Sequence, residues 1–268
     1  MPELPEVETV RRSLLPLIGR TIRRVDVRLP AAIRTHRPVQ FAKVLSGKSL
    51  RRVERRGKAL LIYLSSGWVL VVHFKLWGLL RFTVGGVQPD RETAVIMHFK
   101  RGGALEFREL QLSTIELYKQ RRLPRIEHLA NLGVDPLSAE FTKERLWGLM
   151  MQRRVTVRAL LTDQERIAGI GNLWAHEILH AAGLRPDRQA IALTLAEVEG
   201  LHQAVRRVLR SGIVRGGEPE FRDVLDRKGR VRLAVYGRAG QPCPRGDGTI
   251  VAARSGGRPS FFCPACQH

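Results

Sequence analysis

The spacing of apolar residues changes from a strand pattern to a helical pattern in the middle of this chain, and that change limits the folds it can adopt. From residue 20 to 110 the apolar residues form short alternating or continuous runs separated by Gly- and Ser-containing turns, such as LLIYL, WVLVVHF, LLRFTV and AVIMHF. Beyond residue 136 they recur at helical spacing. Strand patterns followed by helix patterns are typical of an α+β chain. We therefore predict a β-sandwich or barrel followed by a helical domain.

The same patterns predict individual elements. An amphipathic helix is expected over residues 5–18, kinked by Pro16 and ended by Gly19. Further helices are expected in the segments AEFTKERLWGLMM, VTVRALLTDQERIAGI, NLWAHEILHAAG and LAEVEGLHQAVRRVLRSGI, and Gly183 followed by Pro186 should end the third of these. The last 33 residues return to short strands around the cysteines.

A polar stretch containing a proline, YKQRRLPRIEH, is the expected linker between two domains. We predict a β-sandwich domain over residues 1–128 and a helical domain over 136–235. A cysteine-containing hairpin is predicted over 236–268.

Charge points to a polyanionic partner. The 268 residues include 46 Lys and Arg against 25 Asp and Glu, a formal net charge of +21. Such an excess favours nucleic acid, although a solvated basic surface, a ribosomal-type protein and a membrane surface carry similar charge. The charge is spread along the chain without a basic tail, which favours nucleic acid over a membrane. Three cysteines argue against a disulfide framework, and no long apolar run or secretory start is present. A cytoplasmic, nucleoid-associated protein is expected.

The segment GIGNLWAHEIL combines a tight turn with a helix start. Gly169 and Gly171 permit the turn, and Asn172 stands where the helix begins. A helix N-terminus offers N–H groups and a positive dipole end to a phosphate, and Asn172 can cap the helix or turn its amide toward that phosphate. An ordinary Gly-Asn helix start explains the segment equally well.

The C-terminal segment contains one complete and one incomplete C-x-x-C motif of the kind called a zinc knuckle. The first knuckle, residues 243–246, is incomplete, and the second, residues 263–266, is complete. Cys263 and Cys266 have the C-x-x-C spacing, whereas Cys243 is followed by Gly246 where a fourth ligand would stand. Two C-x-x-C knuckles on a hairpin make a zinc site. Asp247, His268 or water are alternatives for the missing ligand, and the absence of any metal is another.

Two turn segments carry residues that suit DNA. Lys58 follows the turn at Gly57 and begins an apolar strand, where a solvated lysine is the ordinary reading. Lys75, Leu76 and Trp77 lie between two strands. Leu76 and Trp77 are either core residues or a wedge that enters a DNA stack, a use made of apolar side chains.

Five segments together resemble the formamidopyrimidine-DNA glycosylase and endonuclease VIII family: MPELPEVETVRR, RRGKALL, GIGNLWAHEIL, VYGRAGQPCPRG and GRPSFFCPACQ. They occur in order and cover essentially the whole chain. The resemblance implies an N-terminal β-sandwich with a leading helix, a helix–two-turn–helix domain and a C-terminal zinc hairpin. It also implies a monomeric base-excision-repair enzyme that excises oxidised bases from duplex DNA and then cuts the backbone by β,δ-elimination.

The resemblance assigns catalysis to the N-terminus. Pro2 is small enough for Met1 to be removed, and the new terminus is a secondary amine. An α-amino group has a pKa near ~8, so part of it is neutral and nucleophilic near pH 7. Glu3 resembles the family's general acid/base, and Glu6 its second acidic residue. Both carboxylates also suit an ordinary helix N-terminus.

DNA contacts are implied in the same way. Lys58 resembles a lysine that contacts the phosphate beside the lesion and belongs to the catalytic set. Asn172 and Arg258 resemble residues that grip the same backbone, while Lys75, Leu76 and Trp77 are expected to fill the space left by the flipped base. Cys243, Cys263 and Cys266 are the implied zinc ligands.

Two segments depart from the formamidopyrimidine branch. The stretch RELQLSTIELY lacks that branch's D-P-R-R-F-G, and KLWG lacks the methionine of H-L-G-M-x-G. Both features are closer to endonuclease VIII. Oxidised pyrimidines or a broad range of lesions are therefore expected in preference to 8-oxoguanine. The alternative from another class, a non-catalytic protein that binds damaged DNA, needs neither Pro2 nor Glu3.

Overall fold

The computed structural model describes the chain except Trp77, residues 109–111, Arg153, Asp247 and residues 256–257, together with the side chains of Ser255 and Arg258. The chain divides into two compact units. The first comprises residues 1–131 and 219–230, and the second comprises residues 132–218 and 231–268. The division into segments 1–128, 136–235 and 236–268 stays a prediction.

Two four-stranded antiparallel sheets make up most of the first unit. The first sheet has the order β1-β6-β7-β5 and the second has the order β2-β3-β4-β8. The strands are β1 (Ile22–Val27), β2 (Leu50–Arg56), β3 (Ala59–Leu64), β4 (Trp68–His73), β5 (Leu79–Thr83), β6 (Thr93–Phe99), β7 (Ala104–Arg108) and β8 (Thr114–Lys119). Turns of few residues join β2 to β3 and β3 to β4, as expected for antiparallel neighbours.

One hydrophobic core joins the two sheets. Ile22 and Met97 from the first sheet belong to the same buried cluster as Ile62 and Leu70 from the second. All six residues of β3 are buried, because it is a central strand, whereas β1 and β2 each have only two buried residues. The predicted β-sandwich is confirmed.

The first helix, α1 (Leu4–Ser13), is shorter than the pattern predicts. Residues 15–17 form a single 3-10 turn that contains Pro16, which has no N–H to continue the α-helical hydrogen bonds. Val7, Val10 and Leu14 are fully buried in the core of the sandwich. Each contributes about 1.5 kcal/mol or more by burial.

A buried ionic cluster fixes α1 on β2. Glu8 accepts hydrogen bonds from Arg11 at 2.8 and 2.9 Å and from Arg12 at 2.9 Å, and Arg55 of β2 lies 3.6 Å away. The predicted pair between Glu8 and Arg12 is confirmed. Burial raises the pKa of Glu8, but the three guanidinium groups lower it more, so the net shift is downward.

A second helix, α2 (Pro38–Leu45), interrupts the strands of the first unit where the sequence patterns predict none. Pro38 occupies its first turn, where a missing N–H costs nothing. Phe41 and Leu45 are spaced by four residues and are both buried. Those two features are the signal that a reading restricted to strand patterns overlooks.

Helices dominate the second unit. They are α4 (Lys143–Met151), α5 (Val157–Thr162), α6 (Asn172–Ala182) and α7 (Leu195–Val214), whereas the short helix α3 (Glu127–Ala130) lies in the first unit. Thr142, Thr156 and Thr194 cap α4, α5 and α7. The predicted helix over VTVRALLTDQERIAGI is too long, because residues 163–171 form a turn that leads into α6.

Close packing of α6 and α7 requires a glycine. A Cβ atom on Gly212 would lie 2.4 Å from the indole of Trp174. Gly183 ends α6 in the left-handed conformation, at φ 73°, as the sequence predicts. The C-terminal strands β9 (Val251–Ser255) and β10 (Arg258–Phe262) pair as an antiparallel hairpin.

These elements confirm the α+β class with a leading helix, a β-sandwich, a helical region and a C-terminal hairpin. Among the described residues, no helix has the length and apolar character needed to cross a membrane.

Candidate active site and DNA interface

The N-terminal segment is buried to an unusual degree for a chain end. Residues 3–10 are all buried, and Glu3 and Glu6 are 3% and 1% exposed. Glu3 is the N-cap residue of α1, and Pro5 lies in the first turn. The Glu6 carboxylate accepts the backbone N–H of Glu3 at 3.0 Å. This bond satisfies a donor that the helix itself leaves without a partner and fixes the backbone that follows Pro2.

Pro2 lies directly before this fixed helix start. It is half-buried, and Met1 beyond it is exposed. The burial changes from exposed to fully buried within three residues, so the Pro2 nitrogen stands at the boundary between the core and the solvent. A nitrogen in that position is held by the fold and remains within reach of a large substrate.

Lys58 occupies the tight turn between β2 and β3. Gly57 adopts a φ of 56°, and Arg56 pairs with Ala59 across the turn. Lys58 itself is only 9% exposed. Its charge, together with that of Lys75, acts on His73, which pairs with Ala59 on the neighbouring strand. Lys58 is therefore not the fully solvated lysine of the ordinary reading.

His73 is a neutral member of this basic group. Burial, followed by the charges of Lys75 and Lys58, lowers the pKa of His73 to about 4. The Lys75 backbone N–H donates to His73 Nδ1 at 3.2 Å, which requires that nitrogen to be an acceptor. Near pH 7 the two lysines supply the positive charge and the imidazole holds the loop that follows β4.

That loop presents an apolar side chain to the solvent. Leu76 is 46% exposed, so it is not a core residue, and Lys75 has a positive φ of 51°. Ser113 donates a hydrogen bond to the carbonyl of Phe74, and a Cβ on Gly78 would collide with both groups. The loop is thus fixed at its base. Trp77 lies outside the described residues.

A second exposed leucine lies beside this loop and is not found by sequence reasoning. Leu112 is 54% exposed and adjoins Ser113, which holds Phe74.

Arg108, at the end of β7, is paired with Glu106, Asp90 and Glu92 at 2.7–3.0 Å. Its guanidinium is therefore committed to three carboxylates within the unit.

In the second unit, the turn before α6 positions Asn172. The Gln164 amide donates to the carbonyls of Thr162 and Ile170, at 2.8 and 2.7 Å, and accepts from the N–H of Gly169. Gly169 has a φ of 102°, which a side chain would make costly. One side-chain amide thus closes the loop.

One reading of the sequence makes Asn172 the N-cap of α6, and the structure shows that it is not. The N-cap is Gly171, which has no side chain, and Asn172 is the first helical residue. Its Oδ1 accepts from the buried Arg158 at 3.1 Å. Because Oδ1 is engaged, the two amide hydrogens of Nδ2 are oriented away from Arg158. Arg158 was not found from the sequence, since no local spacing connects it to Asn172.

The three cysteines gather around the C-terminal hairpin. Cys243 and Cys263 are buried, Cys266 is half-buried, and all three are reduced. The Sγ atoms of Cys243 and Cys266 lie 3.8 Å apart. His180 of α6 joins them, because its Nε2 lies 3.4 Å from Cys243 Sγ. Sequence reasoning missed His180, and its only signal was the spacing of two histidines by four residues in α6.

Two predicted residues of the hairpin cannot be placed. Arg258 begins β10, but its side chain lies outside the described residues, as does the whole of Asp247. His268 is described and is exposed.

Comparison with known proteins agrees with this architecture. Residues 1–113 match the model of the formamidopyrimidine-DNA glycosylase N-terminal domain, and residues 132–221 match that of its helix–two-turn–helix domain. A curated formamidopyrimidine-DNA glycosylase of Pelotomaculum thermopropionicum is 41% identical over 100% of this chain and 99% of its own length. The chain belongs to the formamidopyrimidine-DNA glycosylase family. It is a DNA glycosylase of base excision repair.

Further members of this family agree over the full length. The enzyme of Desulforamulus reducens is 38% identical over 100% of this chain and 99% of its own. Among solved structures, the Lactococcus lactis glycosylase in complex with N7-benzyl-Fapy-dG DNA superposes with a TM-score of 0.92 at 28% identity, and each chain is covered completely. The same enzyme has been solved with DNA that contains an oxidised pyrimidine, with a TM-score of 0.91.

The predicted residues fall into separate groups of this glycosylase. Pro2, Glu3 and Glu6 lie at the start of one helix, whereas Lys58 and Lys75 both lie close enough to His73 for their charges to lower its pKa. Asn172 and the cysteines belong to the second unit. Their assigned roles stay proposals.

We expect acid to destabilise the first unit through His73. Its pKa is 6.5 as a free side chain and about 4 when folded, so the folded state loses stability as the pH falls from 6.5 to 4. Between pH 7 and pH 5 the loss is up to about 2 kcal/mol. His73→Asn, whose Oδ1 replaces Nδ1 as the acceptor, should remove most of this loss in denaturant titrations at the two pH values.

The control is His98→Gln, at a histidine of β6 in the other sheet, whose charge is not among the causes of the His73 shift. His176, whose pKa burial also lowers to about 4, is present in both variants, so its effect cancels in the comparison. An unchanged pH dependence in His73→Asn would contradict the assignment.

Proposed function

We propose that this glycosylase is also an AP lyase and that the nitrogen of Pro2 is its nucleophile. The observation that carries the proposal is the buried helix start, in which Glu6 holds the backbone of Glu3 and leaves Pro2 at the surface of the core. Removal of Met1 gives Pro2 a secondary amine. No other backbone nitrogen can offer a lone pair for attack, since all others are amides.

The proposed reaction balances without a cofactor. The Pro2 nitrogen forms a bond to C1′ of the damaged nucleotide, the base departs with the electrons of its glycosidic bond, and the ribose ring opens to leave an iminium ion. The iminium acidifies the proton at C2′, whose loss expels the 3′ phosphate. A second elimination expels the 5′ phosphate. Hydrolysis of the iminium then frees Pro2 and releases the sugar remnant.

Glu3 moves protons in this scheme. A carboxyl group next to the nucleophile can donate to the ribose oxygen as the ring opens and accept a proton later. Its burial suits this role, because a carboxyl group in a dry site exchanges protons with a bound substrate more readily than one that is fully hydrated. Glu6 acts through Glu3: its carboxylate fixes the Glu3 backbone and thereby the direction in which Pro2 points.

Damaged duplex DNA is the proposed substrate and partner. The net charge of +21 suits a polyanion. Related Lactococcus lactis structures contain DNA with a lesion or an abasic site. Lys58 and Lys75 supply charge in the first unit, while Asn172 offers its Nδ2 hydrogens beside the N-terminus of α6. Arg258 is included among the proposed phosphate contacts on the resemblance of its segment to the family.

Lesion preference is proposed to be broad, or directed to oxidised pyrimidines. Reading the base opposite the lesion would require a donor such as arginine. The arginine that ends β7, Arg108, is bound to three carboxylates and is not available for this purpose. Leu76, with Lys75 and Trp77 beside it, is the proposed wedge, and the exposed Leu112 provides a second apolar side chain.

A structural zinc ion is proposed at the hairpin. Cys243, Cys263 and Cys266 fit it, because their thiols contact one another and the 3.8 Å between two sulfurs exceeds the ~2.05 Å of a disulfide. Burial, followed by the thiol side chains of Cys243 and Cys263, raises the pKa of Cys266 to about 12, as expected where sulfurs crowd together. Zinc would supply the positive charge that lets them ionise, and so would hold the hairpin on the second unit.

The two glutamates should differ in their effects. Glu3→Gln should lower base excision by at least about 100-fold, because it removes the proton donor, and should leave most of the cleavage at a preformed abasic site. Glu6→Gln keeps a hydrogen-bond acceptor and should lower both activities by the same modest factor of about 10 or less. The measurement is single-turnover base release and strand cleavage on matched duplexes.

Glu199→Gln, at an exposed residue of α7, is the control for both variants. If Glu3→Gln retained base excision, or if Glu6→Gln abolished excision alone, the division of roles would be contradicted.

The wedge should matter only where a base stack must be opened. Leu76→Ala should lower excision from intact duplex at least about tenfold, since an opened stack costs a few kcal/mol, and should spare cleavage at an abasic site in single-stranded DNA. Val84→Ala, at an exposed residue beyond β5, is the control. Oxidised pyrimidines placed opposite each of the four bases should be excised at similar rates.

Equal losses on duplex and single-stranded DNA would place the wedge elsewhere. A strong preference for 8-oxoguanine opposite cytosine would contradict the proposed lesion range.

A further inference from the structure

We infer that His180 of α6 is the fourth ligand of the hairpin zinc and takes the place of the cysteine that this chain lacks at position 246. The inference rests on the proposed structural zinc. It fills the fourth position, which the sequence leaves open between Asp247, His268 and water, with an imidazole supplied by a helix outside the hairpin.

The distances among the donor atoms match a tetrahedral zinc site. Zinc lies about 2.3 Å from a thiolate sulfur and about 2.0–2.1 Å from an imidazole nitrogen. In a tetrahedron these lengths separate two sulfurs by about 3.8 Å and a sulfur from a nitrogen by about 3.5 Å. The structure has 3.8 Å between Cys243 Sγ and Cys266 Sγ, and 3.4 Å between Cys243 Sγ and His180 Nε2. These three donor atoms all lie within 4.8 Å of one another.

Cys263 is not among the three donors that lie within 4.8 Å of one another, and it joins them through the two other cysteines. Its thiol is fully buried and its side chain interacts with those of both Cys243 and Cys266. Three thiolates and one imidazole form a donor set that binds zinc in preference to hard cations such as Mg²⁺. His180 is 5% exposed, so a histidine is buried directly against the thiol cluster.

Both knuckles are attached to the end of α6 that carries His180. Arg245 of the first knuckle donates to the carbonyl of Ala181 at 3.2 Å. In the second knuckle, the Gln267 amide donates to the carbonyl of Leu184 at 2.7 Å, and the His268 N–H donates to that of Gly183. These bonds hold the cysteines beside the last turn of α6.

A third attachment fixes the segment that leads into the first knuckle. The Glu177 carboxylate accepts the backbone N–H groups of residues 234–236 at 2.6–3.0 Å. Glu177 lies one helical turn before His180, so the same helix positions both the entrance of the hairpin and the proposed ligand.

Gly246 keeps the turn without supplying a ligand. Its N–H donates to the carbonyl of Cys243 at 2.9 Å, and its φ is 79°. A Cβ atom there would meet nothing within 4 Å, so this position has no side chain to replace and none packed against it. Of the other residues considered for the fourth ligand, His268 is exposed, whereas His180 is buried and its Nε2 lies 3.4 Å from Cys243 Sγ.

The decisive measurement uses the full-length wild-type protein with ¹¹³Cd in place of zinc and ¹⁵N-labelled histidine. Direct ligation produces scalar coupling between cadmium and one histidine ring, which we expect to be the ring assigned to His180. Coupling to no histidine, or to a different one, would overturn the inference. Because this experiment needs no variant, a folding defect cannot obscure it.

Zinc affinity, measured by chelator competition, provides a second test. Loss of a residue that only orients a ligand weakens metal binding 10–100-fold, so loss of a ligand should weaken it at least about 100-fold in His180→Ala. The matched control is His176→Ala, at a buried histidine of the same helix that bonds Ser260 Oγ at 3.2 Å. His176→Ala, Asp247→Ala and His268→Ala should each retain zinc within about threefold of wild type.

Free imidazole should restore tight zinc binding to His180→Ala by occupying the space of the lost ring. If His180→Ala bound zinc as tightly as wild type, His180 would not be a ligand, although the hairpin zinc itself would stand. If wild type, purified without added metal, contained no zinc and took up none, both proposals would fail.

Discussion

The bond between the Glu6 carboxylate and the backbone N–H of Glu3 fixes the position of the first residues of this chain. A chain end ordinarily frays, because few residues precede it to pack against. Here residues 3–10 are buried, and the helix they begin is fixed to β2 through Glu8 and Arg55. The carboxylate satisfies a helix N–H that would otherwise be buried without a partner. The position of Pro2, and hence the proposed chemistry, follows from that bond.

In the second unit, the helix α6 carries a proposed functional residue in its first turn and another in its last turn. Asn172 begins α6 and is oriented by Arg158, while His180 lies in its last turn against the cysteines. Eight residues separate them, a rise of about 12 Å along the axis. A metal that fixes the last turn therefore also stabilises the helix whose first turn is proposed to meet phosphate. This arrangement suits a small hairpin that has little core of its own, since its buried cluster consists of only a few residues around Cys243 and Cys263.

Sequence periodicity predicts the elements that bury one apolar face, and it fails where tertiary contacts decide. The strands of the sandwich, α6, α7 and the glycine that ends α6 are predictable, because local spacing and turn chemistry agree. The early end of α5 is not, since a side-chain amide at Gln164 decides it. The short helix α2 has local signals, a proline start and the spacing of Phe41 and Leu45, that a reading for strands overlooks. Pro2, Glu3 and the cysteines are found from motifs, whereas Arg158 and His180 contact their partners only after folding.

The N-terminal nucleophile is tested most directly by chemical trapping. A duplex that contains one oxidised pyrimidine is incubated with the enzyme and borohydride, which reduces the iminium to a stable amine. The covalent complex is then digested, and the DNA-bearing peptide is sequenced by mass spectrometry. The account predicts attachment to the nitrogen of Pro2 at the processed N-terminus, and no complex from protein that retains Met1. Attachment to a lysine such as Lys58, or full trapping with Met1 in place, would contradict it.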